Sequence, residues 1–364
     1  MQTGKISHSP DGFRDDSERI AAAGVANTYR RAPHKHFTNP EDPEVPGAWD
    51  KFKTPVGQWQ TGWGAFFAYA DGSTRFSGRS PAVERADVGD DGYPDGLMGD
   101  AAVAALAELA AADKPFFYAV GLYKPHLPFN APERYWALYD PEKLDISTVD
   151  PLRRRGGEMF GGYSVQPGDL NDEAVVRELL RGYYASVSYI DTQVGKLLKA
   201  LDELGLADNT IIVLWGDHGF HLGELGYWGK HTLHEHSMRS AFIVRTPGMP
   251  LAGEASNAIV NTVDIYPTLV ELAGLPAPDH VDGTSMVPAL KDPQADPVGF
   301  ATGYQGGHIT LRNDRFRLIR GSDGVKLYDH EGDGEKIDVA DQHPEVVRRM
   351  SEQLDGILAG RKAR

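Results

Sequence analysis

A chain of 364 residues with 41% hydrophobic content can bury one large core plus a smaller satellite, or two domains. Its formal net charge of -15 argues against non-specific nucleic-acid binding, while a locally basic pocket for an anionic small substrate stays compatible with it. It holds no cysteine, so disulfides, thiolate metal ligands and a cysteine nucleophile are excluded, and no run approaches the roughly 18 apolar residues of a membrane span.

The opening MQTGKISHSPDG lacks the basic-then-apolar pattern of a secretory signal. Residues 31–50, RAPHKHFTNPEDPEVPGAWD, carry too many prolines for a regular element and read as a long loop of the kind that often serves function. Trp49, Trp59 and Trp63 lie in or beside it, suited either to stacking on a sugar ring or to anchoring the loop on the core. The stretch VGQWQTGWGAFFAYAD (56–71) also reads as a hairpin with one buried face. An alanine- and leucine-rich helix is predicted over 97–111, then a buried strand over 116–121 that Pro125 and Pro128 prevent from continuing. NAPERYWALYD (130–140) is a short helix or turn, and 141–170 is loop.

A long helix is predicted over 172–204, with Val187, Ile190, Val194, Leu197, Leu198 and Leu201 at helical spacing and Gly205 at its end. The apolar runs 209–216 and 238–248 suit buried strands of a parallel sheet covered by helices, and 262–274 is a helix stopped by Gly274. This alternation predicts an α/β fold. Near 300 the texture changes to two short strands around the turn GSDG, followed by an amphipathic helix over 344–359, the pattern of a small antiparallel unit.

In open α/β sheets ligands gather at the carboxyl ends of strands. Lys124 and His126 follow one predicted strand; Asp217 and His218 follow another, with Lys230 beyond. Asp217 could bind a hard cation through oxygen, His218 could add a nitrogen, and Lys230 could neutralise a bound anion. The bland alternatives are a capped turn for the Asp-His pair and a solvated surface cation for Lys230. His231, His234 and His236 have no closed zinc spacing, and His234 and His236 read as polar surface. These residues alone point to a hydrolase-like domain with metal dependence open.

GLYKPHLPF (121–129), the stretch from RGYYASVSYIDTQVGKLLKALDELG to VLWGDHGFHLGELGYWGK (181–230) and TVDIYPTLVELAGL (262–275) resemble the sulfatase family of the alkaline-phosphatase-like superfamily, most of all its iduronate-2-sulfatase branch. GKISH (4–8), YPDGLMGDAAVAAL (93–106) and LYDHEGD (327–333) extend the resemblance over about residues 4–345. It implies a large mixed sheet sandwiched by helices over 1–298 and a small antiparallel subdomain, four-stranded in the family, over 299–364. Asp217 and His218 match the second pair of metal-site residues, where the family usually holds calcium or another divalent cation. Lys5 and His8 match the lysine and histidine that flank nucleophile and sulfate. His126 matches the histidine that contacts sulfate and Lys230 the lysine that meets its oxygens, with Lys124 ranked below them. The activity implied is hydrolysis of a sulfate monoester, first of all on a sulfated sugar. The family's nucleophile is a formylglycine. His126 would protonate the leaving alcohol, and His8 would assist sulfate expulsion.

The chain departs from the family pattern where the nucleophile belongs. Sulfatases carry, ahead of the Gly-Lys segment, a strand with metal-binding aspartates and a Cys/Ser-x-Pro-x-Arg motif. Here the Gly-Lys segment opens the sequence, and neither version of that motif occurs. Three readings follow: an incomplete chain, an inactive remnant that binds a glycan or a partner, or an enzyme assembled from two polypeptides. A related phosphomonoesterase is a further alternative. The expected partners are a sulfated carbohydrate or other sulfate ester, and a second copy or a separate N-terminal polypeptide; nucleic acid and a membrane span are not expected. The compartment is left open: periplasmic or secreted if an upstream segment carries a signal, cytoplasmic otherwise.

Overall fold

The computed structural model describes residues 1–4, 52–53, 55–59, 62–75, 80–112, 114–150, 160–166, 168–277 and 279–362. The proline-rich stretch 31–50, with Trp49, lies outside these residues. The chain forms two compact units, one of residues 1–151 and 157–207, the other of 152–156 and 208–364. The fold is α/β, with strands in both directions flanked by helices and a smaller antiparallel sheet near the C-terminus. Among the described residues no helix is long and apolar enough to cross a membrane.

In the first unit, β1 (Gln2–Gly4) lies between β2 (Phe52–Lys53) and a later strand, both parallel to it. The predicted hairpin at 56–71 is instead a 3-10 turn over Gly57–Trp59 and a short helix, α1 (Gly62–Phe66). Trp59 is buried, its Nε1 donating to the Tyr69 carbonyl at 2.8 Å, so this tryptophan anchors the segment to the core. Strand β3 (Val83–Ala86) leads to α2 (Pro94–Ala111), which opens with proline, a residue preorganised for a first helical turn. Strand β4 (Ala119–Gly121) is the parallel neighbour of β1, and β5 (Phe129–Pro132) pairs parallel with β3 before the short α3 (Glu133–Trp136).

Helix α4 (Glu173–Glu203) is 31 residues long and starts where Asp172 accepts from the Ala174 amide. Its buried face differs from the predicted stripe: Val187 and Leu198 are exposed, while Tyr189 and Gln193 are fully buried. The reason is polar. Tyr189 Oη accepts from Gly96 N at 2.6 Å and donates to the Asp90 carbonyl at 2.8 Å, and Gln193 Nε2 reaches Asp90 Oδ2 at 3.2 Å. An apolarity count misses a face built partly on such bonds.

In the second unit, β6 (Ile212–Trp215) runs into a hairpin of β7 (His221–Leu222) and β8 (Trp228–Gly229), followed by the short α5 (Glu235–Met238). Strand β9 (Phe242–Arg245) pairs antiparallel with β6, where the two apolar runs suggested parallel neighbours. The connection between them holds the β7–β8 hairpin and only the four-residue α5, short of a full crossover helix, and the chain returns antiparallel. Helices α6 (Ile265–Leu272) and α7 (Val287–Lys291) precede a four-stranded meander: β10 (Ala301–Gln305), β11 (His308–Arg312), β12 (Phe316–Gly321) and β13 (Gly324–Asp329). The last two strands are the pair read around GSDG; the first two carry glycines and polar residues that hide their alternation. Helix α8 (Pro344–Lys362) buries Met350 and Leu354 with Leu311, Leu318 and Leu327.

Candidate functional site

Of the residues singled out in the sequence, Lys5 and His8 lie outside the described residues. The first unit places His126 on the proline-bounded turn between β4 and β5. Its backbone N–H donates to the Tyr123 carbonyl at 3.0 Å, and its ring packs on Phe66 with centroids 4.3 Å apart. Nδ1 lies 2.6 Å from the Leu127 carbonyl. A carbonyl only accepts, so Nδ1 carries hydrogen and Nε2 is the nitrogen that gains or loses a proton.

Lys124, two residues earlier, turns inward. Its buried Nζ donates to the carbonyls of His126 at 3.2 Å and Pro128 at 2.6 Å. Burial pulls its pKa down to about 8, against the opposing pull of the Asp95 and Glu84 charges. Asp95, fully buried in the first turn of α2, accepts from the Tyr123 and Lys124 amides, and burial pushes its carboxyl up. Lys124 therefore holds the backbone of the His126 turn. The sequence marks Asp95 only as one acid among several in an acidic turn, so its role as the partner of this lysine was not legible.

In the second unit the pairing of β6 with β9 extends one residue past Trp215, Gly216 N donating to Ala241 O at 2.9 Å, and Asp217 and His218 follow directly. His218 Nδ1 lies 2.8 Å from the Gly219 carbonyl, which again fixes hydrogen on Nδ1 and leaves the lone pair of the neutral ring on Nε2. That Nε2 is 3.6 Å from Oδ1 of Asp217, whose side chain is 61% exposed. Gly219 is a close approach: a Cβ there would sit 2.1 Å from the His236 carbonyl and 2.4 Å from that of Arg239. The Asp217–His218 loop thus rests directly on the segment that follows Lys230, itself half-buried at the end of β8.

The histidine tract divides. His231 and His236 are exposed, but His234 is not polar surface: its side chain is 14% exposed and its Nδ1 lies 3.3 Å from Glu335 Oε2. His221, which sequence reading passed over, is fully buried between the Glu224 carbonyl and the Thr232 hydroxyl, and burial pulls its pKa down to about 4. Glu235, His330 and Glu335 bring three potential ligand atoms within 4.8 Å of one another, a spacing that admits a divalent ion. Glu235 and Glu335 also face two guanidiniums, Arg312 and Arg317.

Calcium takes about six to eight oxygen ligands. Asp217 and His218 offer one carboxylate and one imidazole nitrogen, so this pair alone does not complete a calcium site. Formylglycine fits nowhere, since the chain has neither cysteine nor a Ser-x-Pro-x-Arg segment.

The sulfatase family model matches residues 27–275. The chain belongs to the sulfatase family. A second family model, N-sulphoglucosamine sulphohydrolase, C-terminal, matches residues 223–359. The chain is 34% identical to iduronate 2-sulfatase of Mus musculus over 236 residues, 54% of this chain and 42% of the relative. It is 32% identical to an ulvan-active sulfatase of Formosa agariphila over 237 residues, 61% of this chain and 43% of the relative. The chain therefore spans less than half the length of these curated relatives. Its fold is similar to that of the phosphonate monoester hydrolase of Agrobacterium radiobacter, with a TM-score of 0.67 and 22% identity over 80% of this chain and 67% of that one.

Proposed function

We propose that this chain supplies the ester-binding side chains of a sulfatase acting on a sulfated sugar. The observation that carries the reading is the 34% identity to iduronate 2-sulfatase over a segment of 236 residues. His126, Asp217, His218 and Lys230 all fall inside residues 27–275, which the sulfatase model matches.

Each side chain takes a role its chemistry allows. Lys230 is a compact ammonium that offsets negative charge on the sulfate oxygens. His126, with Nδ1 hydrogen fixed by the Leu127 carbonyl, donates from Nε2 to the leaving alcohol when it is an imidazolium. Lys5 binds the sulfate oxygens, and His8 takes a proton as sulfate is expelled. Asp217 and His218 provide two donors to a divalent cation, calcium in the first instance, whose remaining oxygens come from other residues or water. No residue of the chain supplies the family's nucleophile, so the chain alone is expected to bind without turnover.

The test uses the purified chain with calcium. Nitrophenyl sulfate and nitrophenyl phosphate should both remain uncleaved. A sulfated monosaccharide should bind in preference to its unsulfated form, about tenfold more weakly after Lys230→Ala. Calcium-dependent cleavage of either ester that disappears in Asp217→Ala would overturn the expectation of no turnover. Equal affinity for sulfated and unsulfated sugar would remove the assigned substrate. A second reading, a binding protein without catalysis, is favoured by the missing cysteine. It is decided by whether an added formylglycine-bearing N-terminal segment restores cleavage.

A further inference from the structure

We propose that Arg317, on the C-terminal antiparallel sheet, is a positioning residue that clamps the loop carrying Lys230, with Glu235 and Glu335 as the two jaws. The proposal rests on the role given to Lys230 above.

Lys230 leaves β8 and within five residues the chain reaches Glu235. Glu235 is bonded by Arg317 through its guanidinium NH2 and lies 3.5 Å from Arg312 Nε. Arg317 Nε also lies 2.6 Å from Glu335 Oε1, and Glu335 Oε2 accepts from the backbone amide of Glu235 at 2.6 Å. One arginine thus grips the loop's carboxylate and the acid that holds the loop's backbone. The side chains of Arg317 and Glu335 are 3% and 4% exposed, so water competes little for either.

The apolar contacts around the clamp agree with it. Leu233 packs with Ile319 and Tyr328 of the sheet, and the His234 ring meets Tyr328 at 5.4 Å. The clamp also reaches the Asp217–His218 loop. Ser237, two residues past Glu235, accepts from Gly219 N at 2.9 Å. Thr232 bonds both Ser237 and the buried His221. The backbone around Lys230 is therefore held on both sides of α5, from the sheet and from the turn after β6.

A cation between these carboxylates would be the rival reading of the same cluster. Charge decides against it. Two guanidiniums already balance Glu235 and Glu335, so a divalent ion would add two uncompensated positive charges in a buried place. His330 Nε2 and His234 Nδ1 stand 3.4 and 3.3 Å from Glu335 and crowd the same carboxylate. Burial alone would raise the Glu335 carboxyl; these imidazoles and Arg317 instead hold it well below the usual range.

The experiment compares the chain with Arg317→Met, Arg317→Lys and Glu235→Gln. Hydrogen exchange reads the protection of 217–222 and 228–238, with α4 of the other unit as reference. Titration with inorganic sulfate reads the part of the binding that Lys230→Ala abolishes. Arg317→Met should speed exchange about tenfold or more in both segments while α4 is unchanged. It should also weaken Lys230-dependent sulfate binding about tenfold, and Arg317→Lys should restore much of both. Glu235→Gln, which keeps the shape and removes one charge, covers the case in which Arg317→Met fails to fold, and should give the same changes at smaller size. Unchanged protection of 228–238 in these variants overturns the clamp. So does zinc binding at micromolar concentration that Glu335→Gln abolishes. A chain with no Lys230-dependent sulfate binding would refute the function assigned to Lys230, while the exchange data would still decide the clamp.

Discussion

Lys124 shows how a residue flagged by its neighbours can take a different part. In the sequence it stands beside His126 and looks like a second cation for an anion. In the structure it is buried and bonded to two carbonyls of the His126 turn. Its pKa falls from 10.5 to about 8, with burial the largest cause. Between those values the unfolded chain binds more protons than the folded one, so folding stability should rise with pH across that window. Below about pH 8 both states hold the proton and the penalty is constant. Over the full window the gain is about 3 kcal/mol. Tyrosines of the unfolded chain ionise near pH 10 and oppose it, so pH 8 to 9.5 is the range to use. Urea unfolding should show stability climbing by about 1–2 kcal/mol over that range, and Lys124→Met should flatten the climb. A flat profile in the unaltered chain would mean that the lysine stays charged, paired with Asp95.

At the scale of elements, α4 offers a matched pair of glycines. Gly182 faces the core, where a Cβ would meet Trp136 at 2.9 Å, Val83 at 3.0 Å and Phe129 at 3.1 Å. At Gly195 nothing lies within 4 Å. Replacing glycine by alanine inside a helix gains about 1 kcal/mol, and overpacking a core costs about 1–3 kcal/mol. Trp136 is fully buried and has little room to yield, so crowding should win at Gly182. Gly182→Ala should lower the unfolding midpoint and Gly195→Ala should raise it, both read by thermal melts. A raised midpoint for Gly182→Ala would show that the Trp136 side of the helix relaxes easily. The same helix explains what sequence could convey. Its ends were legible, because Asp172 caps the start and Gly205, at φ 68°, adopts the left-handed turn after its end. The buried face was misplaced, because Tyr189 and Gln193 are buried through hydrogen bonds that no hydrophobic period records. Strands were found but drawn too long: β4 covers Ala119–Gly121 within a run predicted over 116–121. Apolar residues such as Phe117, 65% exposed, extend the run without extending the ladder.

For the whole molecule, the family was legible because its motifs lie in order along the chain, and the α/β organisation because strands and helices alternate. The Glu235–Arg317–Glu335 clamp was not, since its members are distant in sequence and each is an ordinary charged residue until folding buries it. Cation binding belongs to this scale too, because a molecule of formal charge -15 attracts calcium diffusely as well as at Asp217 and His218. The two contributions separate by their response to salt. Diffuse attraction is screened over about 8 Å at physiological ionic strength, whereas ligation by a carboxylate oxygen persists. One carboxylate and one imidazole fall short of the oxygen set calcium requires, so calorimetry in about 0.15 M salt should show a Kd no tighter than about 10⁻⁴ M. The heat that remains should vanish in Asp217→Asn. Micromolar affinity in the same salt would mean that further carboxylates join Asp217 and His218 and that the chain forms a complete cation site by itself. The loss expected for Asp217→Asn would then rise to several kcal/mol, because a strong site depends on every charged ligand it has.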